Sequence, residues 1–132
     1  MYLVDTSVWI GYMRDEENEA TTRLAELEVR RYPFGITGVI HQEVLQGAAS
    51  NTKFDYLAEY MGSQTFYHPV DPVESYREAA LIYFRCRRAG VTICSAIDCL
   101  IARVAIEHGL MLLHDDRDFE SMADVVPDLA LA

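Results

Sequence analysis

Two stretches decide the fold: Tyr2-Leu3-Val4-Asp5-Thr6-Ser7 at one end of the chain and Met111-Leu112-Leu113-His114-Asp115-Asp116 near the other. In each, a short apolar run stops at an acid. The first run is bounded by Asp5-Thr6-Ser7, residues that suit a helix N-terminus, so it predicts a buried strand feeding a helix. The second predicts a strand that ends at Asp115-Asp116. Between them lie further strand candidates over 34–37, 65–67 and 91–94, and another follows at Val125-Val126.

Helical patterns separate these strands. Helices are expected over 8–14, 18–31, 38–47 and 51–61, with Gly62 closing the last. Asp71-Pro72-Val73-Glu74 predicts a helix start: Asp71 as cap, Pro72 at the first helical position and Glu74 completing a capping box. In that helix Tyr76, Ala79, Ala80, Tyr83 and Phe84 recur at helical spacing, and Gly90 stops it. Ser95 is expected to cap a helix reaching His108, and a short helix is expected over 118–123. Strands alternating with helices predict an α/β fold, a mostly parallel central sheet of about four to five strands with helices on both faces. Crossovers in such a fold are right-handed. Its sites form at the carboxyl ends of strands, where the strand order reverses, which is where Asp5 and Asp115-Asp116 stand.

With 132 residues, 51% hydrophobic and 24% charged, the chain is expected to fold as one globular domain over 1–132. No apolar run approaches the ~20 residues of a membrane span. The opening residues lack the basic region of a signal peptide, so a cytoplasmic protein is expected. Cys86, Cys94 and Cys99 are odd in number and form no C-x-x-C pair, which favours buried free thiols over a disulfide or zinc site. The histidines His41, His68, His108 and His114 are scattered. The net charge of -10 runs against simple phosphate binding by a basic surface. It suggests acids held by metal ions, a basic partner protein, or both.

Two further acids sit in apolar company. Asp98 shares a helix face with Ile101, Ala102 and Ala105, and Glu43 borders the apolar side formed by Ile40, Val44 and Gly47. A carboxylate on a packed face is costly unless paired. Two unit charges ~4 Å apart repel by about 4 kcal/mol at an effective dielectric near 20. Hard divalent cations with oxygen ligands, Mg²⁺ or Mn²⁺, would relieve that repulsion. Each acid also has a plain structural reading. Asp5 can cap the first helix, Asp98 can be the acidic half of a capping box with Ser95, Asp118 can cap the last helix, Asp115 can be a solvated turn residue, and Glu43 can be exposed. The joint pattern of strand-end, helix, helix and strand-end acids is what favours a site.

These residues resemble a known family, the PIN-domain ribonucleases, and among them the VapC-type toxins of VapBC modules. Four segments carry the resemblance: Leu3-Val4-Asp5-Thr6-Ser7-Val8-Trp9, Val39-Ile40-His41-Gln42-Glu43-Val44-Leu45-Gln46-Gly47, Asp98-Cys99-Leu100-Ile101-Ala102, and Leu113-His114-Asp115-Asp116-Arg117-Asp118-Phe119. They span nearly the whole chain in the family's order. Many relatives carry threonine where this chain has His114. The resemblance implies a PIN-like three-layer α/β/α fold and hydrolysis of RNA phosphodiesters by an acidic cluster of Asp5, Glu43, Asp98 and Asp116. Asp5, Asp98 and Asp116 would be the metal ligands, Asp118 an accessory, and Thr6 or Ser7 a contact to a carboxylate, the metal or its water. Glu43 would be a ligand or orient the attacking water.

The same resemblance implies a cognate VapB-like antitoxin whose basic C-terminal segment blocks the site, and a homodimer or larger toxin–antitoxin assembly. Trp9, Tyr12 and Met13 would line the antitoxin groove or simply pack in the core. Arg85 and Arg88 share a helix face and would contact RNA, or form a solvated turn that complements the helix dipole. Two other readings stand beside this one. A non-catalytic PIN scaffold would act through partner binding alone. An aspartate-based phosphoryl-transfer domain would need a lysine near a strand end, and Lys53, the single lysine, lies within a helical stretch.

Overall fold

The computed structural model describes residues 1–92 and 95–132. Among these, the strands are β1 (Tyr2–Val4), β2 (Phe34–Ile36), β3 (Thr65–Phe66) and β4 (Met111–Leu113). The helices are α1 (Thr6–Met13), α2 (Glu19–Arg30), α3 (Gly38–Gln46), α4 (Asn51–Gly62), α5 (Glu74–Arg88), α6 (Ala96–Glu107) and α7 (Arg117–Val125). All strand pairs are parallel, in the order β3-β2-β1-β4. Leu3 and Val4 are adjacent on β1, so they point to opposite faces, and both are fully buried. Leu112 and Leu113 on β4 are buried in the same way. Helices therefore cover both faces, and the expected three-layer α/β/α architecture is present.

Local chemistry explains the boundaries. The first helix begins at Thr6 rather than residue 8 because Asp5 is itself the N-cap, accepting the Ser7 N–H. Asn18 caps α2 in a reciprocal pair with Thr21, and Arg31 ends that helix in the left-handed conformation. Thr37, Ser50 and Ser95 cap α3, α4 and α6 through their hydroxyls.

Three expectations are corrected. Val125-Val126 form no strand: α7 runs to Val125 and Val126 is its C-cap, with Phe119, Met122 and Val126 buried at helical spacing. The strand-like edge beyond β4 comes instead from the last residues. Leu112 N–H donates to Ala130 O and Ala132 N–H to Leu112 O, each at 2.9 Å. The start of α5 also differs. Asp71 Oδ1 accepts the Val73 and Glu74 N–H groups, but the return bond is Asp71 N–H to Ser75 Oγ, and the helix begins at Glu74, with Pro72 in the turn before it. Lastly, the buried stripe of α5 is Ser75, Ala79, Ile82 and Cys86. Tyr76, Tyr83 and Phe84 face solvent. The expected strand over 91–94 lies partly outside the described residues, and Val91 and Thr92 are irregular.

Cys86 and Cys99 are buried free thiols, and burial pushes Cys99 up to about 12; Cys94 lies outside the described residues. No helix among the described residues is long and apolar enough to cross a membrane.

Gly35 pairs with Thr65 where β2 meets β3. A Cβ there would stand 2.4 Å from Thr65 O and 2.7 Å from the Tyr67 ring. Neither the ladder backbone nor the ring can yield without moving β3. Gly35→Ala should therefore destabilise the protein by about 3 kcal/mol. Urea unfolding checks this, and an unchanged midpoint would refute the packing argument.

A carboxylate cluster at the switch point of the sheet

From β1 the chain winds outward through β2 to β3, then returns to place β4 on the other side of β1. The order therefore reverses between β1 and β4, and the carboxyl ends of these two strands open a crevice there. The Asp5 N–H donates to Leu113 O at 2.9 Å, which ties the two strand ends together. Ser7 adds a second tie: its hydroxyl donates to Asp5 Oδ2 at 2.6 Å and accepts the Asp115 N–H at 3.0 Å.

Asp5 is 4% exposed. Its Oδ2 takes the Ser7 N–H and hydroxyl, and its Oδ1 is buried with no hydrogen-bond partner. The helix-capping reading of Asp5 thus holds through Oδ2, while Oδ1 is left without a partner. Burial raises its pKa, the Ser7 and Thr6 hydrogen bonds oppose the rise, and the Asp116 charge adds to it. Asp116 caps α7 by accepting the Asp118 N–H at 2.9 Å, so Asp118 is not the cap. His114 Nδ1 accepts the Asp116 N–H at 3.2 Å and holds this turn.

Asp98 enters from the first turn of α6, where Ser95 Oγ accepts the Ile97 and Asp98 N–H groups. It is the electrostatic hub. Burial, followed by the charges of Asp5, Asp116, Glu43 and Asp118, pushes its pKa up to about 7. Glu43 comes from α3, and the Thr6 hydroxyl donates to its Oε1 at 2.7 Å. Carboxylates from β1, α3, α6 and the β4–α7 turn therefore converge, as the motif order implied. The grouping differs in one respect. Asp98, Asp116 and Asp118 place carboxylate oxygens within 4.8 Å of one another. Asp118, expected as an accessory, stands in this inner set, while Asp5 is outside it with one buried oxygen unpartnered. The Asp116-Arg117-Asp118 spacing across a helix start is the sequence signal that links the two acids.

The donor set fits a hard divalent cation. An unpartnered buried carboxylate oxygen is rare and costly. Mutual repulsion among carboxylates this close is relieved by a cation, and oxygen-only ligands suit the hard ions. Asp5, Asp98, Asp116 and Asp118 are the residues that would hold it.

Comparison with known proteins agrees with this geometry. The PIN domain family model matches residues 2–125. The VapC ribonuclease Mb1587 of Mycobacterium bovis is 37% identical over 131 residues, covering 95% of this chain and 93% of that protein. This chain belongs to the VapC-type PIN-domain ribonucleases. Ribonuclease VapC11 of Mycobacterium tuberculosis shows the same identity and coverage. Among solved structures, VapBC2 from Rickettsia felis bound to a DNA fragment from its promoter matches with a TM-score of 0.75 at 15% identity, covering 99% of this chain and 96% of that one. FitAcB from Neisseria gonorrhoeae matches with a TM-score of 0.69 at 20% identity, with the same coverage.

The remaining residues singled out in this VapC-type chain divide. Trp9 is fully buried between Tyr12, Phe34 and Tyr60, so it packs the core and offers no surface to a partner. Tyr12 and Met13 are half-buried, and the Tyr12 hydroxyl donates to Glu28 Oε2 at 2.9 Å. Arg85 and Arg88 are exposed in the last turn of α5. Lys53 lies over the Tyr56 ring on α4, which leaves the phosphoryl-transfer reading without its cation.

Thr6→Val removes the hydroxyl that holds Glu43 while keeping the side-chain shape. RNA cleavage should fall roughly tenfold, the usual scale for misplacing one polar group at a site. The melting temperature should barely move. Unaltered cleavage would show that Glu43 needs no such support.

Proposed function

We propose that this chain is the toxin of a type II toxin–antitoxin pair, a Mg²⁺- or Mn²⁺-dependent endoribonuclease acting in the cytoplasm as a single-domain protein. The observation that carries this reading is the convergence of Asp5, Glu43, Asp98, Asp116 and Asp118 at the switch point, with Asp98 raised to about 7 by burial and by the charges of the other four. The 37% identity to VapC ribonucleases supports RNA as the substrate.

Asp5, Asp98, Asp116 and Asp118 would hold a divalent cation, which when bound would supply Lewis-acid chemistry, easing deprotonation of water and offsetting charge on phosphoryl oxygens. The protein's own part is positional. The Asp116 carboxylate is fixed by accepting the Asp118 N–H at the start of α7, and Asp98 stands in the first turn of α6, where Ser95 Oγ accepts its N–H. Glu43, with Oε1 held by Thr6, orients the attacking water for in-line displacement. Ser7 locks Asp5 through one oxygen and leaves the other buried without a partner.

A VapB-like antitoxin with a basic C-terminal segment is the proposed inhibitor. The net charge of -10 and the carboxylate cluster are complementary to such a segment and speed its association. A solved neighbour from Klebsiella pneumoniae, with a TM-score of 0.69 at 14% identity, is itself a toxin–antitoxin complex, which supports the assignment.

The test is incubation of the purified protein with total cellular RNA and Mg²⁺ or Mn²⁺, beside an EDTA control. Discrete fragments that disappear with EDTA support the reading and map the cut. Cleavage that persists in EDTA would overturn it. So would intact RNA across all pools with folded, metal-bound protein, which would favour the scaffold reading.

A further inference from the structure

A cleft of about 870 Å³ lies between the first half of α2 and the turn from β4 into α7. That volume falls within the ~300–1,000 Å³ of clefts that hold small ligands. One wall carries Glu19, Arg23 and Glu26, which follow one another on α2 at intervals of four and three residues and so share a face. The other wall carries His114, Arg117 and Glu120. Asp116 lines the cleft and also belongs to the carboxylate cluster, so the cleft adjoins the site of reaction.

The lining is charged but unpaired. Among the described residues no carboxylate lies within ion-pair distance of Arg23 or Arg117. Arg23 is steadied instead by Tyr2: its Nη2 donates to the Tyr2 hydroxyl at 3.4 Å, and the guanidinium lies 5.7 Å from the centroid of that ring. His114 Nδ1 accepts the Asp116 N–H, so the ring carries its proton on Nε2 and can donate from there.

This chemistry selects an occupant. Carboxylates outnumber guanidiniums in the lining, so the cleft disfavours a phosphate and suits a neutral group that both donates and accepts. A basic peptide would meet a guanidinium on each wall. A nucleobase is neutral, and single-stranded RNA is read through bases whose edges are free. Guanine matches the lining best. Its O6 and N7 accept from a guanidinium, and its N1–H and amino group donate to a carboxylate.

We infer that the cleft between α2 and the β4–α7 turn is a specificity subsite that takes one unpaired guanine base beside the scissile phosphate, with Arg23 and Arg117 as the residues that select it. The inference rests on the ribonuclease reading and adds to it which base the enzyme reads. The backbone phosphate stays at the carboxylate cluster, and the base enters the cleft next to it.

The first arm of the test needs no activity. Uncharged guanosine, adenosine, cytidine and uridine are titrated in EDTA into the ¹⁵N-labelled full chain, and amide shifts are followed. Guanosine should shift residues 18–26 and 114–120 saturably, and the other three nucleosides should bind at least about tenfold more weakly. Arg23→Gln and Arg117→Gln, both at exposed positions, should stay folded and each weaken guanosine about tenfold. Arg30→Gln, on the same helix but outside the cleft, should change nothing. In the second arm, cut sites in total cellular RNA with Mg²⁺ should share guanine at one fixed position beside the cut. Arg23→Gln and Arg117→Gln should still cut but accept other bases there.

Equal shifts from all four nucleosides, or none in these segments, would overturn the inference. So would cuts without a shared guanine, or variants that keep the wild-type base preference. Saturation of the same amides by an arginine-rich peptide but not by guanosine would assign the cleft to a basic protein segment and overturn it as well. Selective guanosine binding that the two variants weaken, with no RNA cut, would support the base site and count against the nuclease reading alone.

Discussion

Asp98→Asn should abolish RNA cleavage and at the same time raise the melting temperature of the metal-free protein. The isosteric amide keeps the shape of the first turn of α6 but cannot supply a charged ligand, so activity should fall roughly 10³-fold or more. Stability should move the opposite way. The Asp98 carboxyl is pushed up to about 7 by burial and by Asp5, Asp116, Glu43 and Asp118, so its ionised form is unfavourable in the fold. Removing that charge relieves repulsion at neutral pH and costs no packing, the usual trade of stability against function at a strained site. The measurement is paired: fragment analysis of RNA, and thermal melts in EDTA at pH 7.5. Retained cleavage would remove Asp98 from the reaction, and a lowered melting temperature would show that the residue is structural.

The second large effect concerns pH and metal together. In the metal-free protein, stability should fall as pH rises from about 4 to about 7. The sign follows from linkage. The Asp98 carboxyl has a folded pKa of about 7 against an ordinary 3.8, so over this window the folded state holds a proton that the unfolded chain has released. Burial raises Asp5 as well, so it acts in the same direction. The proposed Mg²⁺ or Mn²⁺ would compete with those protons and bind only the folded arrangement. Its stabilisation should therefore be small at pH 5 and large at pH 8. Melts with and without metal at both values check this. A metal effect equal at pH 5 and pH 8 would show that the cation binds elsewhere, since sites made of unperturbed carboxylates are already ionised at pH 5.

Much of this site is legible in the chain because acids at strand ends are local signals. Leu3-Val4-Asp5 and Leu112-Leu113-His114-Asp115-Asp116 each announce a buried strand and a polar end, and the parallel sheet then dictates that such ends share one edge. Asp98 and Glu43 are visible as charges out of place on apolar helix faces. The α5 stripe misled for the opposite reason. Helical spacing shows which residues share a face but not which face is buried, and here the small side chains Ser75, Ala79 and Cys86 pack inward while Tyr76, Tyr83 and Phe84 face water. Val125-Val126 carries a similar ambiguity, because a pair of β-branched residues is too short to show a period.

Most of the order and kind of elements, the caps at Asp5 and Ser95, and the identity of the acids were determined by residue type and spacing alone, since these depend on interactions within a few positions of the chain. Three matters were decided only by the tertiary structure. It brought Asp118 rather than Asp5 into the inner set with Asp98 and Asp116. It buried Trp9 completely among rings from β2 and α4. It also left one oxygen of Asp5 buried and unpartnered while raising Asp98 to about 7. Each of these depends on how groups distant in sequence meet in space, where burial and the summed charge of separate elements act, and neither quantity is a property of a local stretch of sequence.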